Sequence, residues 1–218
     1  MISRYKRVHE NVRIGANSTV EDFVIIDGPG TIIGQDCMIR SHTVIYPGNV
    51  IGDRFQTGNK TNIREHNIIG DDVSIGTLSV VEHHVKIENG VRVHSQAFIP
   101  EYCILNEKVW IGPNVVLTNA RYPRTEDAKE NLRGVVIRKG ARIGANSTVL
   151  PGVNIGEYSL IGAGSVVVRD TLPQGIYMGN PAKRKGWSCL CGHPLDNGLT
   201  CKGCGKRYVL EKDIPKAI

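Results

Sequence analysis

An aliphatic residue recurs every six positions along most of this 218-residue chain. From Ile33 the step meets Ile39, Ile45, Ile51, Thr57, Ile63, Ile69, Ile75, Val81, Ile87, Val93, Ile99, Leu105, Ile111 and Leu117, with Thr57 the one polar member. It resumes as Ile137, Ile143, Val149, Ile155, Ile161 and Val167, and Ile14, Val20 and Ile26 precede it. A step of six cannot keep one face of a helix with 3.6 residues per turn, so an amphipathic helical repeat is excluded. It fits three short strands per coil, eighteen residues per turn, each strand sending one aliphatic inward. Four places after each aliphatic, residues such as Thr43, Thr61, Val73, Ser79, Val85, Ala97, Val109 and Val115 are small or β-branched and suit the same interior. One place after, Gly34, Gly52, Gly70, Gly76, Gly112, Gly144 and Gly162 predict turns where a Cβ is penalised.

The expected fold class is therefore all-β, a parallel β-helix of about eight coils, roughly 38 Å long at about 4.8 Å per coil. Residues 120–136 break the register and must leave the prism as a loop, and a long loop in a compact repeat is more often functional than idle. Charge divides the chain near residue 183. Residues 183–218 hold 8 basic and 3 acidic side chains and the preceding 182 hold 19 and 18, so the net charge of +6 belongs mostly to the tail. A near-neutral prism argues against a broad nucleic-acid surface. No apolar run reaches the roughly 18 residues of a membrane span, and Met1–Arg7 lacks the apolar stretch of a secretory leader. The expectation is a cytoplasmic protein without membrane or nucleic-acid partners, divided into a prism domain (1–182) and a small Cys-rich basic tail (183–218).

Because one coil is eighteen residues, adding eighteen finds the side chain stacked next along the prism. Glu65, His83, Glu101 and Asn119 share one such column, each two places after its aliphatic, with His66, His84 and Tyr102 in the column beside it. Both face outward near a corner, and the ladder ends at Asn119, where the loop departs. Carboxylate, imidazole and amide on successive rungs supply a general base, a group to orient it, and a donor for an oxyanion. A solvated prism edge needs only scattered charges, so this concentration marks a candidate site.

Two strings carry a family resemblance. Val81-Glu82-His83-His84-Val85-Lys86-Ile87 resembles the stretch of hexapeptide-repeat acyltransferases in which a His two places after the inward aliphatic is the general base; the Asp or Glu that commonly follows it is His84 here. Trp110-Ile111-Gly112-Pro113-Asn114-Val115-Val116-Leu117-Thr118-Asn119-Ala120-Arg121-Tyr122-Pro123-Arg124 is similar to nucleotide-sugar N-acetyltransferases that act on 3-amino or 4-amino sugars. The similarity continues through Gly144-Ala145-Asn146-Ser147, Pro151-Gly152-Val153, Gly162-Ala163-Gly164 and Gly179-Asn180-Pro181-Ala182-Lys183.

This resemblance implies a left-handed parallel β-helix and a homotrimer with CoA in grooves between prisms. It implies acetyl-CoA as co-substrate and a nucleotide-linked amino sugar as acceptor, for surface polysaccharide or glycan synthesis. Catalytic roles are implied for His83, Asn119, Glu101 and His84, and acceptor contacts for Glu65, His66, Tyr102, Arg121, Tyr122 and Arg124. Ala145, Ala163 and Gly164 would line the pantetheine path, with Arg169, Lys183 or Arg184 near the phosphates. Some relatives use no protein base, so two expectations stand: His83 takes the amine's proton, or the amine arrives neutral and Asn119 orients it.

Cys189-Leu190-Cys191 and Cys201-Lys202-Gly203-Cys204 place four Cys in sixteen residues, with Gly192 and Gly205 for knuckle-like turns. The pattern reads as a structural Zn2+ ribbon, the reducing compartment disfavouring disulfides and His193 being an alternative ligand. About thirty residues bury too little to hold themselves together without such a staple. Cys37 and Cys103 fall at inward positions and read as core. Three other functions use or resemble this scaffold: an O-acetyltransferase or other acyltransferase, a γ-type carbonic anhydrase, and a non-catalytic scaffold. The paired His five apart that the anhydrase needs is missing, and His83 with Asn119 argues against the scaffold. No nucleotidyltransferase domain precedes the repeat, which argues against a bifunctional uridylyltransferase.

Overall fold

The computed structural model describes residues 5–218, and every regular element in them is a strand. Two-residue strands wind into a three-sided parallel β-helix whose faces carry nine, eight and ten strands. The first face runs from Arg7–Val8 to Val166–Val167, and the second from Arg13–Ile14 to Asn154–Ile155. The third runs from Thr19–Val20 to Leu160–Ile161 and continues into Gly175–Met178 and the antiparallel Lys183–Trp187. The solenoid thus begins before and ends after the span that the hexads alone delimit. No helix among the described residues is long and apolar enough to cross a membrane.

Each strand pairs with the one a coil away, Ile63 with Val81 and Ile69 with Ile87. The second residue of each strand points inward. Ile26, Ile39, Ile45, Ile63, Ile99, Leu105 and Ile111 are fully buried, and the small residues four places on, Thr43, Val73, Ser79 and Val109, are equally buried. Burying an aliphatic side chain contributes about 1.5–3 kcal/mol, so the column is the prism's main source of stability. Thr57 keeps its place because its hydroxyl accepts the Arg40 N–H at 2.8 Å and lies 3.1 Å from the Thr43 hydroxyl. Cys37 and Cys103 are buried core, and burial pushes the Cys103 thiol up to about 12.

The glycines sit at corners where a Cβ is penalised, as their spacing predicts, and the structure supplies the cause. The left-handed backbone lies two places after them, at Arg54 (φ 56°), Asp72 (57°), Leu78 (59°) and Asn114 (56°), so these corners use side-chain-bearing residues for the turn. The glycines instead let coils approach. A Cβ on Gly52 would sit 2.7 Å from the carbonyl carbon of Gly70 in the next coil, closer than real Cβ contacts allow. Stacking distance, not dihedral freedom, sets these positions.

Candidate active site

Two buried asparagines build the corner between the first and second faces. Asn49 Nδ2 donates to the carbonyls of Tyr46 (2.6 Å) and Arg64 (2.8 Å), while its Oδ1 accepts the Asn67 N–H at 3.0 Å. Asn67 repeats the pattern, accepting the Val85 N–H at 2.7 Å. This internal amide ladder satisfies backbone groups that would be costly to leave unpaired. It holds successive coils in register beneath the outward side chains.

On that scaffold the predicted column is real. Glu101 is shared by its two neighbours: Asn119 Nδ2 donates to Oε2 at 2.6 Å, and His83 Nε2 lies 3.6 Å from Oε1. His83 Nδ1 is 2.8 Å from His84 Nδ1, and the rings meet edge to face. Tyr102 packs edge-on to His83, with His66 and Tyr102 flanking His84 at ring separations of 5.4 and 5.9 Å. His66, His84 and Tyr102 all adopt the left-handed backbone, at 60°, 57° and 64°. Lys60 (57°) and Leu78 (59°) share the conformation, so it belongs to the coil and is not strain peculiar to this site.

Glu65 stands apart. Arg64 grips both its oxygens, Nε at 2.8 Å and Nη2 at 3.0 Å, and reaches Glu82 at 3.3 Å. The Arg64 guanidinium holds the Glu65 carboxyl below its ordinary range. Of the two carboxylates, Glu101 and not Glu65 is therefore the one within ion-pair distance of His83. Arg64 was missed by the column of outward residues because it sits one place earlier; the same eighteen-residue addition applied to it finds Glu82.

The loop leaves after Asn119, whose carbonyl accepts the Arg133 N–H at 2.8 Å and so closes the loop's base. The chain has rejoined the prism by Val135, which is buried with its N–H on the Cys103 sulfur. Between the loop and the coils beyond it lies a cavity of about 540 Å³ lined by Arg121, Tyr122, Arg133, Pro151, Val168 and Arg169, among others. Arg124 is not part of its wall.

Ala145, Ala163 and Gly164 lie at a different corner, between the third and first faces, so one chain does not bring them to His83. Lys183 is exposed at the start of its strand. Arg184 is engaged by the tail: Nη1 binds Asp213 Oδ2 at 2.6 Å, and the guanidinium lies 4.3 Å from the Trp187 ring centre.

In the tail, the sulfurs of Cys189, Cys191, Cys201 and Cys204 all lie within 4.8 Å of one another. Cys189–Cys204 and Cys191–Cys201 are each 3.5 Å apart, near the roughly 3.8 Å edge of a tetrahedron with metal–sulfur bonds of about 2.3 Å. Burial opposes ionisation of Cys189, but the Tyr208 hydroxyl at 3.0 Å and the Cys191 N–H outweigh it and bring the thiol down to about 6. The Cys189 N–H to His193 carbonyl and Gly205 N–H to Cys201 carbonyl bonds, both 2.8 Å, shape the two knuckles. The four thiols form a cluster suited to one metal ion. His193 stays outside it, with Nδ1 3.5 Å from the Cys191 sulfur.

Residues 68–101 and 134–169 match the family described as "Bacterial transferase hexapeptide (six repeats)", and residues 7–47 match "Hexapeptide repeat of succinyl-transferase". The chain is 48% identical over 82 residues to dTDP-3-amino-3,6-dideoxy-alpha-D-galactopyranose 3-N-acetyltransferase of Aneurinibacillus thermoaerophilus, covering 36% of this chain and 42% of that protein. It is 31% identical over 90 residues to galactoside O-acetyltransferase of Escherichia coli, covering 39% and 44%. The matched stretch spans less than half the length of these relatives. Among solved structures, LpxA from Acinetobacter baumannii matches with a TM-score of 0.52 at 19% identity, over 86% of this chain and 72% of that one, a likeness of fold. Repeats across about half the chain, and a parallel β-helix built from them, place this protein in the hexapeptide-repeat families.

Proposed function

We propose that this protein is an acetyl-CoA-dependent N-acetyltransferase acting on the amine of a nucleotide-linked amino sugar. The observation that carries the reading is Glu101 held between His83 and Asn119 at the foot of the loop. Support also comes from the relatives, which are named as a sugar-nucleotide N-acetyltransferase and a galactoside O-acetyltransferase. In the reaction the neutral amine attacks the thioester carbonyl, a C–N bond forms, and the tetrahedral intermediate expels CoA thiolate. The amine's surplus proton goes to His83 or to solvent.

Glu101 beside Nε2 favours a proton on that nitrogen, which leaves Nδ1 as the lone-pair site. In the free protein His84 occupies Nδ1, so the acceptor amine would replace His84 there. Asn119, tied to Glu101, then positions the acceptor. A pantetheine path along Ala145, Ala163 and Gly164 lies at another corner, which leads to an assembly in which one protomer's corner faces its neighbour's loop. For a homotrimer, sedimentation is expected to give about 72 kDa, three times 23.9 kDa. The four Cys would hold a structural Zn2+, and a cytoplasmic location suits both free thiols and acetyl-CoA.

The test is thiol release from acetyl-CoA with a panel of UDP- and dTDP-linked amino sugars, run on wild type, His83→Ala and Asn119→Ala across pH. With His83 as base, its loss lowers kcat by roughly 10²–10⁴-fold with KM for acetyl-CoA unchanged, and the acidic limb of the kcat profile vanishes. With an amine that arrives neutral, His83→Ala costs under about tenfold and Asn119→Ala is the more damaging change. Activity untouched by both substitutions removes this corner as the active site. The galactoside relative motivates a second reading, transfer to a hydroxyl, which the same screen detects with unaminated sugars.

A further inference from the structure

The cavity between the loop and the prism carries an unbalanced charge. Among the described residues Arg7, Arg40, Arg54, Arg64 and Arg184 pair with a carboxylate, and the other arginines, Arg13, Arg92, Arg124, Arg138, Arg142 and Arg207 among them, do not. Among the described residues no such partner lies within ion-pair distance of Arg121, Arg133 or Arg169, and these three line one cavity. Two carboxylates, Asp127 and Asp170, share the wall, which leaves it a net charge of +1, and each is turned to an amide instead of to an arginine. Asp170 accepts the Asn154 N–H at 2.8 Å, and Asp127 accepts Asn131 Nδ2 at 2.8 Å. The stem of Arg133 runs beside Gly152, where an added Cβ would make ordinary contact at 3.5 Å; the glycine answers to its φ of 72°. Tyr122 adds an aromatic face that is 68% exposed. Three free guanidiniums and an aromatic surface around about 540 Å³ suit a ligand with adjacent phosphates and a planar ring.

We infer that this cavity is the nucleoside diphosphate subsite, with Arg121, Arg133 and Arg169 on the phosphates and Tyr122 against the base. The inference rests on the nucleotide-sugar reading and deepens it. It also moves Arg169 from the CoA phosphates, where the resemblance puts it, to the acceptor. The spacing along the edge agrees. Arg169 lies two coils beyond the corner that holds Asn119, about 10 Å at about 4.8 Å per coil, on the scale of a hexose with its anomeric phosphate. An acceptor anchored in the cavity would extend its sugar back along the edge toward Glu101 and His83.

The experiment is calorimetric titration of the full-length protein with UDP, dTDP and, separately, CoA, for wild type, Arg133→Gln, Arg169→Gln and Lys129→Gln. Lys129 is a loop cation outside the cavity wall and controls for bulk charge. The expected result is at least one nucleoside diphosphate bound by wild type. Its affinity should fall about tenfold or more in each arginine variant, as loss of a charge-assisted hydrogen bond implies, with CoA affinity and the Lys129→Gln protein unchanged. If the diphosphate binds all variants equally, the subsite is wrong while the nucleotide-sugar reading stands. If the arginine variants weaken CoA instead, the cavity belongs to the donor. If wild type binds neither UDP nor dTDP, the reading and the subsite fall together.

Discussion

The prism and the tail solve the same problem by opposite means. The prism buries one continuous column of aliphatic side chains, each coil resting on the next, with buried Thr, Ser and Asn side chains satisfying backbone groups at its corners. The tail buries only Cys189, Cys201 and Tyr208 as a cluster, with Leu195 and Leu199 beside it. What it has besides is four sulfurs that meet at a point suited to one metal ion. Repetition lets a long element spread stability over many small equal contributions, whereas a short segment must concentrate it. The tail also leans on the prism through Ser188, whose hydroxyl donates to the Tyr158 carbonyl at 2.6 Å and whose carbonyl accepts Gln174 Nε2 at 2.9 Å.

The widest separation between the two regions is expected on metal removal. Metal analysis should give about one zinc per chain. Chelation, or Cys201→Ser, should melt residues 188–218 while the coils persist, since a structural zinc site supplies much of such a module's folding energy. Hydrogen exchange resolved by segment checks this; a tail that stays protected without metal breaks the comparison. The reverse experiment is Ile111→Ala, which should cost the prism about 2–5 kcal/mol because neighbouring coils cannot close the void. Denaturant unfolding should show that loss in the prism, with metal retained in the tail.

A smaller effect sharpens the account of the tail. Tyr208→Phe removes the hydroxyl that donates to the Cys189 sulfur. It should cost the tail about 1 kcal/mol and loosen metal, measured by competition with a chelator. Smallest is Asp72→Asn on the prism's exposed edge, where Arg54 holds the Asp72 carboxyl below its ordinary range. That contribution is complete above the ordinary carboxylate range and is lost as pH falls through the lowered value. The substitution should flatten the acid side of the prism's Tm profile and leave neutral pH almost unchanged.

What could be seen in the sequence follows the same division. In the prism, contacts recur every eighteen residues, so addition alone placed Glu101 between His83 and Asn119 and placed Thr43 and Val109 inside. It failed where neighbours were not one repeat apart. The Arg64 grip on Glu65 is a contact between adjacent residues that the column hides. The Arg184–Asp213 pair joins a prism-edge strand to a tail with no period, and the cavity joins the loop to coils beyond it. The glycines announced a penalty on Cβ but not its cause, because a left-handed turn and a close approach select the same residue, and only coordinates separate them. In the tail the four Cys were legible because a metal demands specific ligands, while Tyr208 had no pattern to announce it.

The point where the loop leaves has one more consequence. The Val135 N–H meets the Cys103 sulfur across a separation of 32 residues, where most coils are spaced by 18, yet the stack above and below is undisturbed. The excursion is thus an appendix tied down at Arg133, whose N–H donates to the Asn119 carbonyl and whose carbonyl accepts the Gly152 N–H at 3.0 Å, and it adds nothing to the interior. Its residues can be lengthened, shortened or exchanged at little more than the entropy of closing a different ring. On the proposed function, changes in the loop would revise its share of acceptor recognition without reopening how the protein folds.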